Sequence, residues 1–336
     1  MNSHSLSARI LLTILRITLL LGLMTLGFSS QASTVLTLAH IYAPDHPKAK
    51  GGRYFAKIVE ERSAGRIQVK LYEEASMGNQ TPMLRSLQNG SLDMAILSQG
   101  SLSAVIPEFN ALGLPYLFPD QEAAWRVLGG SIGGGLIRKL EGRGIVLLDF
   151  LDIETRQISN SVRPVTKPED LAGLRIRVPP DPLAGEVVSA FGGAPKEINF
   201  SDLYVSLKKG VVDGQENPIL NFNAYKLYEV QKFVSLTKHK ITIYALLIRK
   251  ESFKALSPAD QEIVRTAAKD AARYVRELAS DAEDSAYRKL QARGVRIDHV
   301  DTKSFVAATA SLYDRWYAGP TGDFVREVVR AVKETP

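Results

Sequence analysis

The heptapeptide "LQNGSLD" (residues 87–93) returns as "LKKGVVD" (residues 207–213), each time closing a helical pattern on a glycine and opening a β-prone run. Seven positions alone make a weak repeat, but the order of elements around them recurs as well. "TVLTLAH" (34–40), a helical stretch through "AKGGRYFAKIVEERSAG", "RIQVKLY" (66–72), a helix over "QTPMLRSLQN" and "SLDMAIL" read strand, helix, strand, helix, strand. "LRIRV", a helix over 182–191, "APKEI", a helix over 201–209 and "VVDGQEN" repeat that order. Strand, helix, strand is the parallel crossover unit, so two lobes of similar α/β build are expected.

Two long runs join them. "GIVLLDFLDIETRQISNS" (144–161) is β-prone over more residues than one ordinary strand needs, and "KFVSLTKHKITIYALLIRK" (232–250) matches it in character. We read them as an outward and a return crossing, a two-strand hinge between discontinuous lobes: 33–153 with about 243–282, and 154–242 with about 283–336. "SPAD" at 257–260 supplies an N-cap, a proline at the first helical position and an early acid, opening a helical pattern to about Arg293. A helix of that length is on the order of 50 Å long and is expected to span both lobes.

Residues 1–32 read as a signal peptide, with Arg9 and Arg16 near an apolar run and small residues at Ser30 and Ala32, so a mature chain starting at Ser33 is expected. The formal charge is +6; removing that segment, with two arginines and no acid, leaves 40 bases against 36 acids, or +4. This excess is scattered, with no basic and aromatic stripe of the kind that binds nucleic acid. Cysteine is absent, which excludes disulfides, a thiolate nucleophile and cysteine zinc sites and suits an exported, periplasmic chain.

Gly129, Ser131 and Gly133 spell G-x-S-x-G, the nucleophile elbow of a hydrolase. An elbow follows a buried strand, whereas "DQEAAWRVLGG" reads as a helix, so Ser131 is expected to cap the next helix. Five histidines without paired metal spacing, and no G-x-G-x-x-G after a strand, point to no metal, cofactor or catalytic residue. What remains are polar or aromatic residues near strand ends, where open α/β sheets place ligands: Arg156, Arg177, Phe200, Asn217 and His239, with His40 and Gln80 in the first lobe. Each also has an ordinary structural reading, such as a satisfied histidine at 40, a hydrophobic staple at 200 or a turn at Asn217-Pro218.

The segments "GSLDMAILSQGSL", "LPYLF", "TRQ", "VTKPEDLAGLRIRVPP", "GGAP", "LYVSLKKGVVDGQENP" and "YEVQKFVSLTKH" stand in the order and spacing of one family. Over residues 34–239 the chain resembles the substrate-binding proteins of tripartite ATP-independent periplasmic (TRAP) transporters, in the branch similar to the dicarboxylate binder. The resemblance implies a two-lobed periplasmic binding protein, a class II-like clamshell that is not an enzyme, closes on an organic acid and delivers it to the small and large membrane subunits of a permease. It also implies that Arg177 meets the ligand carboxylate, with Arg156, Phe200, Asn217 and His239 beside it and His40, Gln80 and Ser98 selecting the ligand from the first lobe. Sialic-acid binders carry a carboxylate at the site of Ser98 and an asparagine at that of Pro180, neither kept here. The hydrogen-bonding set His40, Gln80, Ser98 and His239 favours a hydroxylated acid such as a uronate or aldonate over a C4-dicarboxylate or keto acid. A sensor subunit presenting the same ligand is the alternative role. The chemistry fits, because a guanidinium is a planar fork matching the two coplanar oxygens of a carboxylate. Arg175, two residues before Arg177, is expected to be a surface residue.

Overall fold

The computed structural model describes residues 33–334, so the expected cleavage after Ala32 lies outside the described residues. Its strands are β1 (Thr34–Ala39), β2 (Ile67–Tyr72), β3 (Met94–Ser98), β4 (Ile145–Asn160), β5 (Arg175–Val178), β6 (Ala194–Glu197), β7 (Gly214–Pro218), β8 (Phe233–Arg249) and β9 (Arg296–His299). They form one sheet in the order β2-β1-β3-β8-β4-β7-β5-β6, with β9 on β8.

The repeat in the sequence is a repeat in space. β1, β2 and β3 stand in the order 2-1-3, and β5, β6 and β7 stand as 6-5-7, with β1 parallel to β3 and β5 parallel to both neighbours. The helix before β3 and the helix before β7 both stop at a glycine in the left-handed region, Gly90 at φ 84° and Gly210 at φ 65°, which is why glycine is needed there. The aspartates that follow do the same work twice. Asp93 accepts the backbone N–H of Thr37 in β1 at 2.9 Å, and Asp213 accepts that of Arg175 in β5 at 2.8 Å, tying the entry of each third strand to its neighbour.

β4 and β8 pair antiparallel from Ile145↔Arg249 to Asn160↔Phe233, interrupted by bulges between Leu147 and Asp149, Phe150 and Asp152, and Arg156 and Ile158. β3 joins β8 over Tyr244 to Ile248, and β7 joins β4 over Arg156 to Asn160, so this pair carries one strand group at each end. The helix Pro258–Ala292 packs on the helix Pro47–Arg62, on β4 and on the short helix Ile219–Ala224. Its start follows the capping signal: Ser257 Oγ accepts the Asp260 N–H at 3.1 Å ahead of Pro258. Its buried face is a stripe of small residues, including Ala267, Ala268, Ala271 and Ala272, which brings the neighbouring backbone close. Apolar side chains form a large core around β1, β3, β4, β5 and the C-terminal part of β8, and a second core built from Leu203, Phe222, Leu227, Leu290 and Val295 among others.

The G-x-S-x-G segment joins two helices, Gln121–Gly129 and Ser131–Gly142, with Gly130 as the cap and Ser131 as the first helical residue. Gly133 is there for packing: a Cβ on it would sit 1.8 Å from the Leu128 carbonyl oxygen. Among the described residues no helix is long and apolar enough to cross a membrane, and no cluster of His, Asp and Glu has the makings of a metal site.

Candidate functional site

A cleft with about 670 Å³ of empty space, its open mouth included, lies between the β1 to β3 group and the β5 to β7 group. Arg156, Arg177, Phe200 and Asn217 line one side and Gln80 and Ser98 the other, so the structure brings six of the eight expected residues together. His40 and His239 do not line it.

Arg177 sits at the end of β5 and is 1% exposed. Its Nε donates to the Ile198 carbonyl at 2.8 Å, while Nη2 is buried without a partner, and Phe200 lies 5.7 Å from the guanidinium carbon. Burial draws its pKa from 12.5 down to about 9, with Glu216 raising it and Arg156 lowering it to smaller extents. It remains a cation at neutral pH, and an anion is what its open side lacks. Arg175 is exposed and grips Asp213 through Nε at 2.9 Å and Nη2 at 2.6 Å.

Arg156 has its charge matched. Its Nε and Nη2 fork onto the Glu216 carboxylate, Nη2 at 2.7 Å, and Nη1 donates to Thr242 Oγ1 at 3.1 Å. Burial works against both charges, but their attraction prevails, raising Arg156 and holding Glu216 down at about 2. His239 stands behind this pair, with Nε2 3.4 Å from Glu216 Oε2 and Nδ1 2.8 Å from Thr237 Oγ1. Burial lowers its pKa despite Glu216, so the ring orients the carboxylate as a neutral partner. Asn217 accepts from Asn221 Nδ2 at 3.1 Å and donates to Gln215, which in turn donates to Ser159 at 2.7 Å. This chain of amides fixes the Asn217 side chain from behind.

On the opposite wall, Gln80 Oε1 accepts the Ser98 N–H at 2.7 Å and the Ser101 hydroxyl at 2.9 Å, so its amide N–H groups are what it can offer a ligand. His40 is fully buried: Nδ1 accepts the Tyr42 N–H at 3.2 Å and Nε2 lies 3.5 Å from Glu73. Burial first, and Arg53 second, lower its pKa to about 4. It shapes the loop after β1, from which Ile41 and Tyr42 reach the cleft, and the buried Tyr42 hydroxyl has no partner. Tyr42, Tyr244, Thr242 and Asp181 were missed from the sequence. Thr242 and Tyr244 were findable, because they share a parity in β8 with each other, whereas Tyr42 lies past the end of β1 where alternation gives no guide. Asp181 is paired with Lys240 and caps the helix Pro182–Ala190, accepting the Leu183 N–H at 3.1 Å.

Among the described residues lining the cleft, the charged side chains are therefore Arg156, Arg177 and Asp181, and two of the three have a partner of opposite charge. The far wall of Asn79, Gln80, Thr81, Ser98, Gln99 and Ser101 is polar and neutral. Among the described residues lining the cleft, none is arranged as a nucleophile with a base, and the buried Arg177 Nη2 is a donor without an acceptor.

Comparison with known proteins places the chain in a family. The model of a family described as bacterial extracellular solute-binding protein, family 7, matches residues 38–319. An uncharacterized protein of Sinorhizobium fredii, y4mM, is 39% identical over 296 residues, which is 87% of this chain and 54% of that protein, so the chain spans about half the length of this relative. The 2,3-diketo-L-gulonate-binding periplasmic protein YiaO of Escherichia coli is 30% identical over 285 residues, covering 84% of this chain and 87% of its own. Among solved structures, the sugar acid binding protein of Advenella mimigardefordensis in complex with galactonate superposes with a TM-score of 0.87 at 27% identity, covering 90% of this chain and 99% of that one.

Proposed function

The chain belongs to family 7 of the bacterial extracellular solute-binding proteins, receptors of TRAP transporters and not enzymes, and from that premise we propose that it captures a monocarboxylate with a hydroxylated tail, an aldonate or uronate, between its two halves. The observation that carries this reading is the charge distribution in the cleft: Arg177 is the cation without a carboxylate partner, and the opposite wall offers only neutral hydrogen-bonding groups. One carboxylate is thus met by one fork, and a second, at the far end of a dicarboxylate, would be desolvated against amides and hydroxyls without a countercharge. Hydroxyl groups suit that wall, because amides and serines both donate and accept. The relatives that bind diketogulonate and galactonate support the same class.

On this reading Arg177 anchors the carboxylate, Phe200 covers it, Arg156 and Asn217 are held ready beside it by Glu216 and Gln215, and the β1 to β3 side selects among tails. The closed complex then docks on the small and large membrane subunits of a permease. Calorimetric titration with D-galactonate, D-glucuronate and succinate tests the ligand class. Either sugar acid is expected to bind at about micromolar dissociation constant, near 8 kcal/mol, and succinate at least about tenfold more weakly. Succinate binding as tightly as both sugar acids overturns it.

A further inference from the structure

Tyr225 follows the helix Ile219–Ala224 and keeps its ring in the second core, where it meets the edge of Phe200 with 4.5 Å between centroids at 85°. Its hydroxyl leaves that core. It donates to the Ile41 carbonyl at 2.6 Å and accepts the Ala43 N–H at 2.9 Å, both on the loop that follows β1. A phenol has one proton to give, and here that proton and the oxygen are both committed to backbone more than 180 residues away in sequence. The two backbone groups flank Tyr42, which lines the cleft, whereas Tyr225 itself does not.

The receiving loop is held firmly. Tyr42 N–H is taken by His40 Nδ1, the His40 carbonyl accepts the Ala75 N–H at 3.1 Å, and the Tyr42 carbonyl accepts the Glu74 N–H at 3.4 Å. Glu74 and Ala75 are both in the left-handed region, at φ 53° and 59°, a conformation that persists in non-glycine residues only where its surroundings impose it. On the other side, Phe200 packs against both cores and lies against the Arg177 guanidinium. A continuous path of contacts therefore runs from the carboxylate anchor through two rings to the opposite half of the cleft. A second bridge, in which Asn79 donates to the Ser201 hydroxyl at 3.1 Å and accepts the Ser201 N–H at 3.3 Å, is exposed, and water competes for it.

We propose that Tyr225 is a positioning residue for ligand capture: its hydroxyl clasps the loop after β1 only when the halves are together, and an acid seated on Arg177 and Phe200 sets that clasp without Tyr225 touching it. This rests on the closing-receptor reading above. Tyr225→Phe keeps the ring on Phe200 and removes only the clasp. Because the chain has no cysteine, nitroxide labels go specifically to Lys57→Cys and Lys208→Cys, both exposed and in opposite halves, and pulsed electron resonance reads the distance between them as D-galactonate or D-glucuronate is added. In the Tyr225→Phe background the concentration giving half conversion to the short distance, and the ligand dissociation rate, are each expected to rise about tenfold for two lost hydrogen bonds. The melting temperature of the ligand-free protein is expected to stay unchanged while that of the liganded protein falls. Equal half conversion and dissociation in the two backgrounds, or an equal fall in both melting temperatures, removes the clasp alone. A background with Tyr225 intact that never shortens with either sugar acid removes the sugar-acid reading of the cleft and the clasp with it.

Discussion

Replacing Arg177 with methionine keeps a long unbranched side chain at the end of β5 and removes, among the described residues, the cleft cation that has no carboxylate paired with it. In the ligand-free protein that cation is a burden. Its pKa lies at about 9 instead of 12.5 because it is buried, a bias against the charge of about 5 kcal/mol at 1.36 kcal/mol per unit. The bond from Nε to the half-buried Ile198 carbonyl is lost in the variant, and a charged hydrogen bond of this kind is worth about 3 kcal/mol. The difference, about 2 kcal/mol, favours the variant, which for a chain of this size is a rise of about 4 °C in melting temperature. Binding moves the other way. Without the fork the ligand carboxylate enters a dry wall unpaired, and affinity is expected to fall by about a thousandfold or more. Calorimetry of the ligand-free variant and titration with the bound sugar acid give both numbers. A lower melting temperature, or an affinity within tenfold of the parent, refutes the reasoning, because either result means Arg177 is satisfied by the protein and not by its ligand.

Arg175→Ala, which cuts an exposed pair with Asp213 outside the cleft, is expected to leave sugar-acid affinity within about twofold by titration, since water and salt screen such a pair from anything remote. His40, lowered to about 4 from 6.5, binds fewer protons folded than unfolded between those values; its contribution is complete above pH 6.5 and is lost as pH falls toward 4. The gap in urea midpoint between the parent and His40→Gln should therefore widen as pH rises from 4 to 6.5, a comparison that cancels the shares of His239 and His46, lowered in the same sense, and of Asp152, which burial raises to about 7 and which works the opposite way. Tyr42→Phe removes a buried hydroxyl with no partner and is expected to weaken a hydroxylated acid by about tenfold while sparing its deoxy analogue, an asymmetry that titration of the two ligands checks.

The elements were legible where the signal was local. Glycine stops at 90 and 210, the cap at Ser257 and the two long β-prone runs each report on their own neighbourhood, and β4, β8 and the helix Pro258–Ala292 stand where those signals place them. The site was legible on both sides, with Gln80 and Ser98 on one and Arg156, Arg177, Phe200 and Asn217 on the other, but not at its histidines. Arg177, Phe200 and Asn217 sit at ends of regular strands or just beyond, whereas His40 follows the last residue of β1 and His239 follows Lys238, which takes a positive φ of 46°. At both histidines the backbone has left the regular alternation, and neither side chain lines the cleft. The pairing of Arg156 with Glu216 and of Asp181 with Lys240 was hidden for a different reason: each joins residues far apart in sequence, and no periodicity records which charge a buried partner will match.

The place of β8 in the sheet also sets a schedule for folding. It lies between β3 and β4, so the first strand group has an unpaired inner edge until residues 233–249 exist, although β1 to β3 are made long before. Pairings of such long sequence separation form slowly, and an unfinished edge holds the early chain in a loose state. A chain ending before β8 is expected to be degraded quickly by protease where the complete chain resists, and a resistant fragment holding β1 to β3 would show that the first group closes alone. An architecture that withholds its central strand until more than two thirds of the chain has been made is its own timing device.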